Sequence, residues 1–179
     1  IILEINLFEE IFKSTMTGSV IFVDTDNLID NMPIVGQEFL AFKIFTPGLA
    51  RSDLDFDYSE NVFCVYEIGG RQSSSSSEVV ELKICSPELL RNERTRVSKS
   101  FESTVSETVL SLLKDPKYIN TKKDIFIESS LGVRKIVSPN FHPFSLIKNL
   151  SQEAIAYNNN APHFLFFENT RGFHFRSLQ

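Results

Sequence analysis

Hydrophobic and polar positions alternate through the first half of the chain and recur at helical spacing through much of the second. Residues 2–8 alternate, and residues 18–24 carry Val20 and Phe22 on one face and Ile21 and Val23 on the other. A period of two bounded by turn residues is the pattern of half-buried strands. Residues 26–32 fit a short helical turn with Asp26 as its cap, and Pro33 and Gly36 then break the chain. Residues 37–45 predict a third strand, 61–68 a fourth and 78–85 a fifth, the last with Val80, Leu82 and Ile84 facing one way. Gly69-Gly70-Arg71 and the serine run 73–77 read as a hairpin tip. Five short strands with turn signals between them predict a small antiparallel β-barrel.

The period changes at Ser86-Pro87. Pro87 suits the first position of a short helix that ends before Thr95. Phe101, Val105, Val109, Leu112 and Leu113 form an apolar stripe at helical spacing, with Ser100 as cap, Glu102 at the positive end and Pro116 as the stop. Residues 124–137 read as two short strands turning at Leu131-Gly132. Pro143 opens another helix that buries Phe144, Ile147, Leu150 and Ala154 and is ended by residues 158–160. Residues 164–168 and 171–177 predict a last hairpin, with Gly172 at its turn. The fold class is therefore α+β, a small antiparallel β-barrel over residues 1–86 followed by a mixed α+β domain over 87–179.

Composition sharpens this picture. The chain has 179 residues, 42% of them hydrophobic, with 17 Phe and no Trp, which is globular composition with a bias toward strands and aromatic packing. A net charge of −5 gives no general attraction to nucleic acid or anionic lipid, so neither sequence-specific nucleic-acid binding nor a membrane is expected. No run approaches the ~18 apolar residues of a membrane span. Cys64 and Cys85 make no disulfide framework and sit in apolar alternating segments, which points to a reducing compartment. The first residue is Ile1 and the last residues read as a strand, so the chain is expected to be part of a longer protein.

Candidate chemistry is sparse. Asp53-Leu54-Asp55-Phe56-Asp57 imitates the start of a calcium loop, but Tyr58 and Cys64 stand where that loop needs Gly and Glu, leaving an acidic surface loop. His142, His163 and His174 form no metal-ligand pattern with the cysteines. His142 reads as a helix entry, and His174 faces away from Phe173 and Phe175. Nucleophile-elbow and phosphate-cradling motifs are absent. A glycosidase needs only two carboxylates at the right separation, which a sequence does not specify. No catalytic residue, metal or cofactor is assigned, and the chain is expected not to be an enzyme.

Two features point to assembly. The strand at 37–45 puts Leu40, Phe42 and Ile44 on one face and Phe39, Ala41 and Phe45 on the other. A small barrel strand usually shows water one polar face, so an apolar outer face expects cover from the second half or from another chain. Arg91, Arg94, Arg96 and Lys99 cluster without interleaved aromatics. They read either as a solvated helix end paired with Glu88 and Glu93 or as a contact with an acidic neighbouring subunit. Phe39, Ala41, Phe45, Arg91, Arg94 and Arg96 are accordingly the candidate subunit interface.

Three stretches carry a family resemblance. The first runs from Leu7-Phe8-Glu9-Glu10-Ile11-Phe12 into Thr17-Gly18-Ser19-Val20 and on from Leu28 through Pro33-Ile34-Val35-Gly36-Gln37-Glu38. The second is Ser86-Pro87-Glu88 through Arg91-Asn92-Glu93-Arg94-Thr95-Arg96-Val97-Ser98. The third is Pro139-Asn140-Phe141-His142-Pro143-Phe144, then Phe164-Leu165-Phe166-Phe167-Glu168 and Gly172-Phe173-His174-Phe175-Arg176-Ser177-Leu178. Together they resemble the N-terminal part of the baseplate central hub protein of T4-like tailed bacteriophages. The resemblance implies a homotrimer whose barrels form a pseudo-sixfold ring that adapts the tail tube protein to the central spike protein. Baseplate wedge proteins would be its neighbours, and its location would be the virion tail baseplate, assembled in the host cytoplasm. The α+β part would be inserted before a second barrel lying beyond residue 179. The family lends no catalytic residues. The alternatives are a receptor- or carbohydrate-binding module, a tail-associated hydrolase, and a spike-type protein of a contractile secretion system.

Overall fold

The structure is a computed structural model that describes residues 1–31, 38–44, 56–58, 61–73 and 77–178. Its contacts divide the chain into two compact units, one of Ile1–Phe8 with Met16–Pro87 and one of Glu9–Thr15 with Glu88–Gln179. The segment Glu9–Thr15 thus joins the second unit although it lies between two strands of the first. The linear order of the sequence hides that assignment.

In the first unit, β1 (Ile2–Phe8), β2 (Thr17–Asp24), α1 (Leu28–Asn31), β3 (Phe39–Leu40), β4 (Lys43–Ile44), β5 (Phe56–Asp57), β6 (Phe63–Ser73) and β7 (Glu78–Cys85) follow in order. Five of the strands form one sheet in the order β1-β2-β7-β6-β3, every pair antiparallel. The sheet curls into a half-barrel. Alternation puts Val20, Phe63, Val65, Val80, Leu82 and Ile84 on one face, where they bury against Met16, Ile29 and Tyr58. Fully burying side chains of this size contributes about 1.5–3 kcal/mol each. Phe42, Tyr58 and Phe63 close one side of that cluster, with ring centroids 4.9 to 5.7 Å apart.

Several local expectations change. The predicted strand at 37–45 is two short strands in different sheets, since β3 pairs with β6 and β4 with β5. Its partners differ because the chain leaves the main sheet after Leu40. Gly69-Gly70-Arg71 is not a hairpin tip but part of β6, which pairs with β7 as far as Ser73 opposite Glu78. Register shifts between Val65 and Glu67 and between Ile68 and Gly70 absorb the extra residues as bulges. Arg71 fixes this end. Its Nε and Nη2 donate to Glu78 at 3.0 and 2.7 Å, and Nη2 also donates to Asp30 at 2.9 Å. These bonds, to Glu78 first and then Asp30, raise its pKa. The cap of α1 is Asp24 rather than Asp26: its carboxylate accepts from the N–H of Asp26 and of Ile29, both at 3.1 Å. Backbone donors, that of Leu28 foremost, hold the Asp24 pKa below its ordinary value.

The rest of the chain contains α2 (Pro87–Arg94), β8 (Val97–Ser103), α3 (Val105–Lys114), β9 (Ile125–Ile127), β10 (Arg134–Phe141), α4 (Pro143–Glu153), β11 (Phe164–Asn169) and β12 (Gly172–Ser177). β8 and β10 form an antiparallel pair, and β11-β12-β9 a three-stranded sheet in which β9 runs parallel to β12. Residues 124–137 hold the two expected strands with Gly132, at φ +80°, between them, but β9 and β10 pair in different sheets, β9 with β12 and β10 with β8. Phe101 lies in β8, not in the helix, and the cap of α3 is Thr104 rather than Ser100. Thr104 and Glu107 form a reciprocal capping box. α4 ends at Glu153 with Ala154 as its cap, before residues 158–160.

The helices α3 and α4 present Val105, Val109, Leu112, Leu113, Phe144, Ile147 and Leu150 to the inner faces of Phe164, Phe166, Phe173 and Phe175. The Phe166 and Phe173 rings stack at 5.7 Å and those of Phe164 and Phe175 at 4.6 Å. Gly172 turns the last hairpin with φ +136°, and a Cβ there would lie 2.2 Å from the Asp124 carbonyl oxygen. Only glycine meets both conditions.

Candidate subunit interface

Phe39 and Ala41 lie in the first unit and Arg91, Arg94 and Arg96 in the second, so the six expected residues do not form one patch within a unit. Phe45 lies outside the described residues. Phe39 stands on the outermost strand of the five-stranded sheet and is 67% exposed, and Ala41 beside it is also exposed. Leu40 and Phe42 turn inward to the core, so the inward and outward faces divide as the alternation predicts.

The arginines have separate occupations. The Arg91 guanidinium donates to the carbonyls of Ile119 and Asn120 at 3.0 and 2.8 Å, holding the loop after α3 against α2. Arg96 donates to the Asn140 carbonyl at 3.5 Å. Arg94 is exposed. Glu88 pairs with none of them. It is buried, accepts from Thr121 Oγ1 at 2.7 Å, and pairs with Lys123 Nζ at 2.9 Å. Lys123 also pairs with Glu168, itself buried, and lies 5.9 Å from the centre of the Phe173 ring. Burial lowers the Lys123 pKa, but the charges of Glu168 and Glu88 outweigh that and raise it, so it stays an ammonium. These groups lie 35 and 45 positions apart in sequence, and no local motif announces them.

The opposite edge of the same sheet escaped the sequence reading. β1 is outermost on that side, and Ile2, Leu3 and Phe8 are each more than half exposed. A register shift between Ile2 and Glu4 leaves Leu3 as an extra residue, which turns adjacent apolar side chains outward. The signal available was the run Ile1-Ile2-Leu3, which breaks alternation. Both edges of the half-barrel therefore carry unpaired strand backbone beside exposed apolar side chains, among the described residues. Such edges are templates for pairing with another chain.

His142 and His174 pack within the second unit. His142 Nδ1 lies 2.8 Å from the Asn92 carbonyl and 3.0 Å from that of Thr95, both acceptors, so Nδ1–H donates and ties the entry of α4 to α2. His174 is stacked between Phe126 and Phe167, at 4.7 and 5.0 Å, on the face away from Phe173 and Phe175. Burial, then Arg176 and Arg171, lower its pKa, with Glu9 opposing. Among the described residues, no three His, Cys, Asp or Glu side chains group to hold a metal ion, and no helix is long and apolar enough to cross a membrane. The calcium-like segment at Asp53 to Asp55 lies outside the described residues.

No protein-family profile and no curated protein matches the sequence. Solved structures do share the fold. The chain is similar to the 43 kDa tail protein of prophage MuSo2 from Shewanella oneidensis, with a TM-score of 0.54 at 9% identity over 96% of this chain and 49% of that one. It is also similar to the E. coli c3393 protein, a type VI secretion system component with structural similarity to the T4 bacteriophage tail proteins gp27 and gp5. That match has a TM-score of 0.57 at 17% identity over 97% of this chain and 45% of that chain. The chain thus spans about half the length of the structures it matches. At these identities the likeness is one of fold, shared with a phage tail protein and a secretion-system component.

Proposed function

We propose that this chain is a structural part of a phage tail baseplate hub, a homotrimeric adaptor that joins the tail tube to the central spike. The observation that carries the reading is the half-barrel whose two edge strands, β1 and β3, both display exposed apolar residues. Different edges meeting head to tail close into a ring when the rotation closes, which is the geometry an adaptor needs. The fold shared with a phage tail protein supports it. In this reading Phe39, Ala41 and Phe45 contact the next subunit together with Ile2, Leu3 and Phe8. Arg94 and Arg96 face an acidic neighbour, and baseplate wedge proteins surround the ring in the virion tail. The chain performs no catalysis and carries no cofactor.

A second reading is a spike-type protein of a contractile secretion system, favoured by the likeness to c3393 over nearly the whole chain. Both readings require self-assembly, so light scattering coupled to size exclusion tests them together. A trimer at micromolar concentration is the expected result. A monomer at that concentration sinks the ring.

A further inference from the structure

A groove of about 250 Å³ opens within the second unit between β11, α4 and the Glu9–Thr15 segment. Its apolar walls include Ile11, Phe12, Leu165 and Leu178, and Phe12 is 70% exposed. The volume falls below the ~300–1,000 Å³ of small-molecule pockets, which favours one or two inserted side chains over a whole ligand. One wall is the strand β11, the outermost of its sheet, whose free edge pairs with no other strand among the described residues. Main-chain donors and acceptors along such an edge can receive an extended peptide. The charge of the lining is one-sided. Lys148 is the one charged residue that lines it and no Asp or Glu does, among the described residues, in a chain of net charge −5.

We propose that this groove takes an extended acidic segment of a partner protein as an added strand on β11. An aliphatic or aromatic side chain seats against Ile11, Phe12 and Leu178, and a carboxylate pairs with Lys148. Backbone pairing supplies the affinity, and the apolar seat and the lysine supply the selection. The inference stands apart from the hub reading, because it uses the second unit alone and holds whether or not the chain trimerises.

The test is a nuclear magnetic resonance titration of the isotope-labelled chain with two synthetic peptides. One alternates aspartate with phenylalanine and leucine, and the other replaces each aspartate by lysine. The acidic peptide is expected to cause saturable shifts at the backbone amides of β11 and of Lys148. It should bind at least about tenfold more tightly than the lysine peptide. Lys148→Glu and Phe12→Asp should each weaken it by about tenfold with the remaining spectrum unchanged. Lys148 is exposed, so its variant carries the test if Phe12→Asp perturbs folding. Equal binding of the lysine peptide, shifts confined to other surfaces, or no saturable binding would overturn the proposal. Concentration-dependent self-association abolished by Phe12→Asp would overturn it too, by making a second copy the occupant.

Discussion

The two units build their buried clusters differently. The second gathers α3, α4 and the inward-facing phenylalanines of β11 and β12 into one buried cluster, and it ties loops to that cluster through the Lys123 ion pairs and the Thr104 capping box. The first, among the described residues, buries a smaller cluster on one face of its sheet and leaves Ile2, Leu3, Phe8 and Phe39 exposed at its two edges. Exposed apolar residues beside unpaired edge strands are an aggregation hazard that single chains usually blunt with charge or proline. Here Glu4 is the only charged residue in β1. In the proposed hub, the exposed edges of the first unit are where the next subunit packs.

The sharpest test of this contrast lies at Lys123. Lys123→Met removes the cation from two buried carboxylates, Glu88 and Glu168, and should destabilise the second unit by about 3–5 kcal/mol. Urea denaturation followed by circular dichroism checks it, and a loss below about 1 kcal/mol would mean that the carboxylates are held another way. Next comes Leu112→Ala, which opens a cavity at a fully buried site and should lose about 2–5 kcal/mol. Phe39→Ser, at the exposed edge, should stay within about 0.5 kcal/mol in the same assay run below the concentration at which the chain assembles. Comparable losses at both positions would erase the distinction between the units. Thr104→Ala should lose about 1 kcal/mol with the capping box, read as a lower melting temperature.

The smallest expected effect is a pH dependence from His174. Its folded pKa lies below the ordinary value of 6.5, so the folded state favours the neutral ring. The stability it contributes is full above that value and is lost as pH falls through the folded pKa. His174→Gln should flatten the decline in melting temperature below neutral pH. An unchanged slope would remove the stacked ring as its source.

Much of the local structure was legible where side chains and backbone agree within a few residues. The bounds of α2 follow from Pro87 and the break before Thr95, and the hairpin of β11 and β12 follows from alternation around Gly172. The outward placement of His174 follows from the same alternation. What failed depends on distant partners. Leu40 and Lys43 look continuous in sequence but pair with different strands, and Phe101 keeps helical spacing to Val105 while β10 holds it in β8. The membership of Glu9–Thr15 in the second unit and the meeting of Glu88, Lys123 and Glu168 have no local signature at all. Among the candidate interface residues, the exposure of Phe39 and Ala41 follows from alternation. The carbonyl contacts of Arg91 do not, because Ile119 and Asn120 lie far along the chain.

In the proposed hub, the edges of the half-barrel carry self-assembly. Sedimentation velocity on the chain and on its Leu3→Asp and Phe39→Asp variants tests it most directly. The hub reading predicts a trimer that each single variant converts to a folded monomer, with a melting temperature lower by the stabilisation that assembly supplied. A trimer that survives both substitutions, or a wild-type chain that sediments as a monomer, would contradict it.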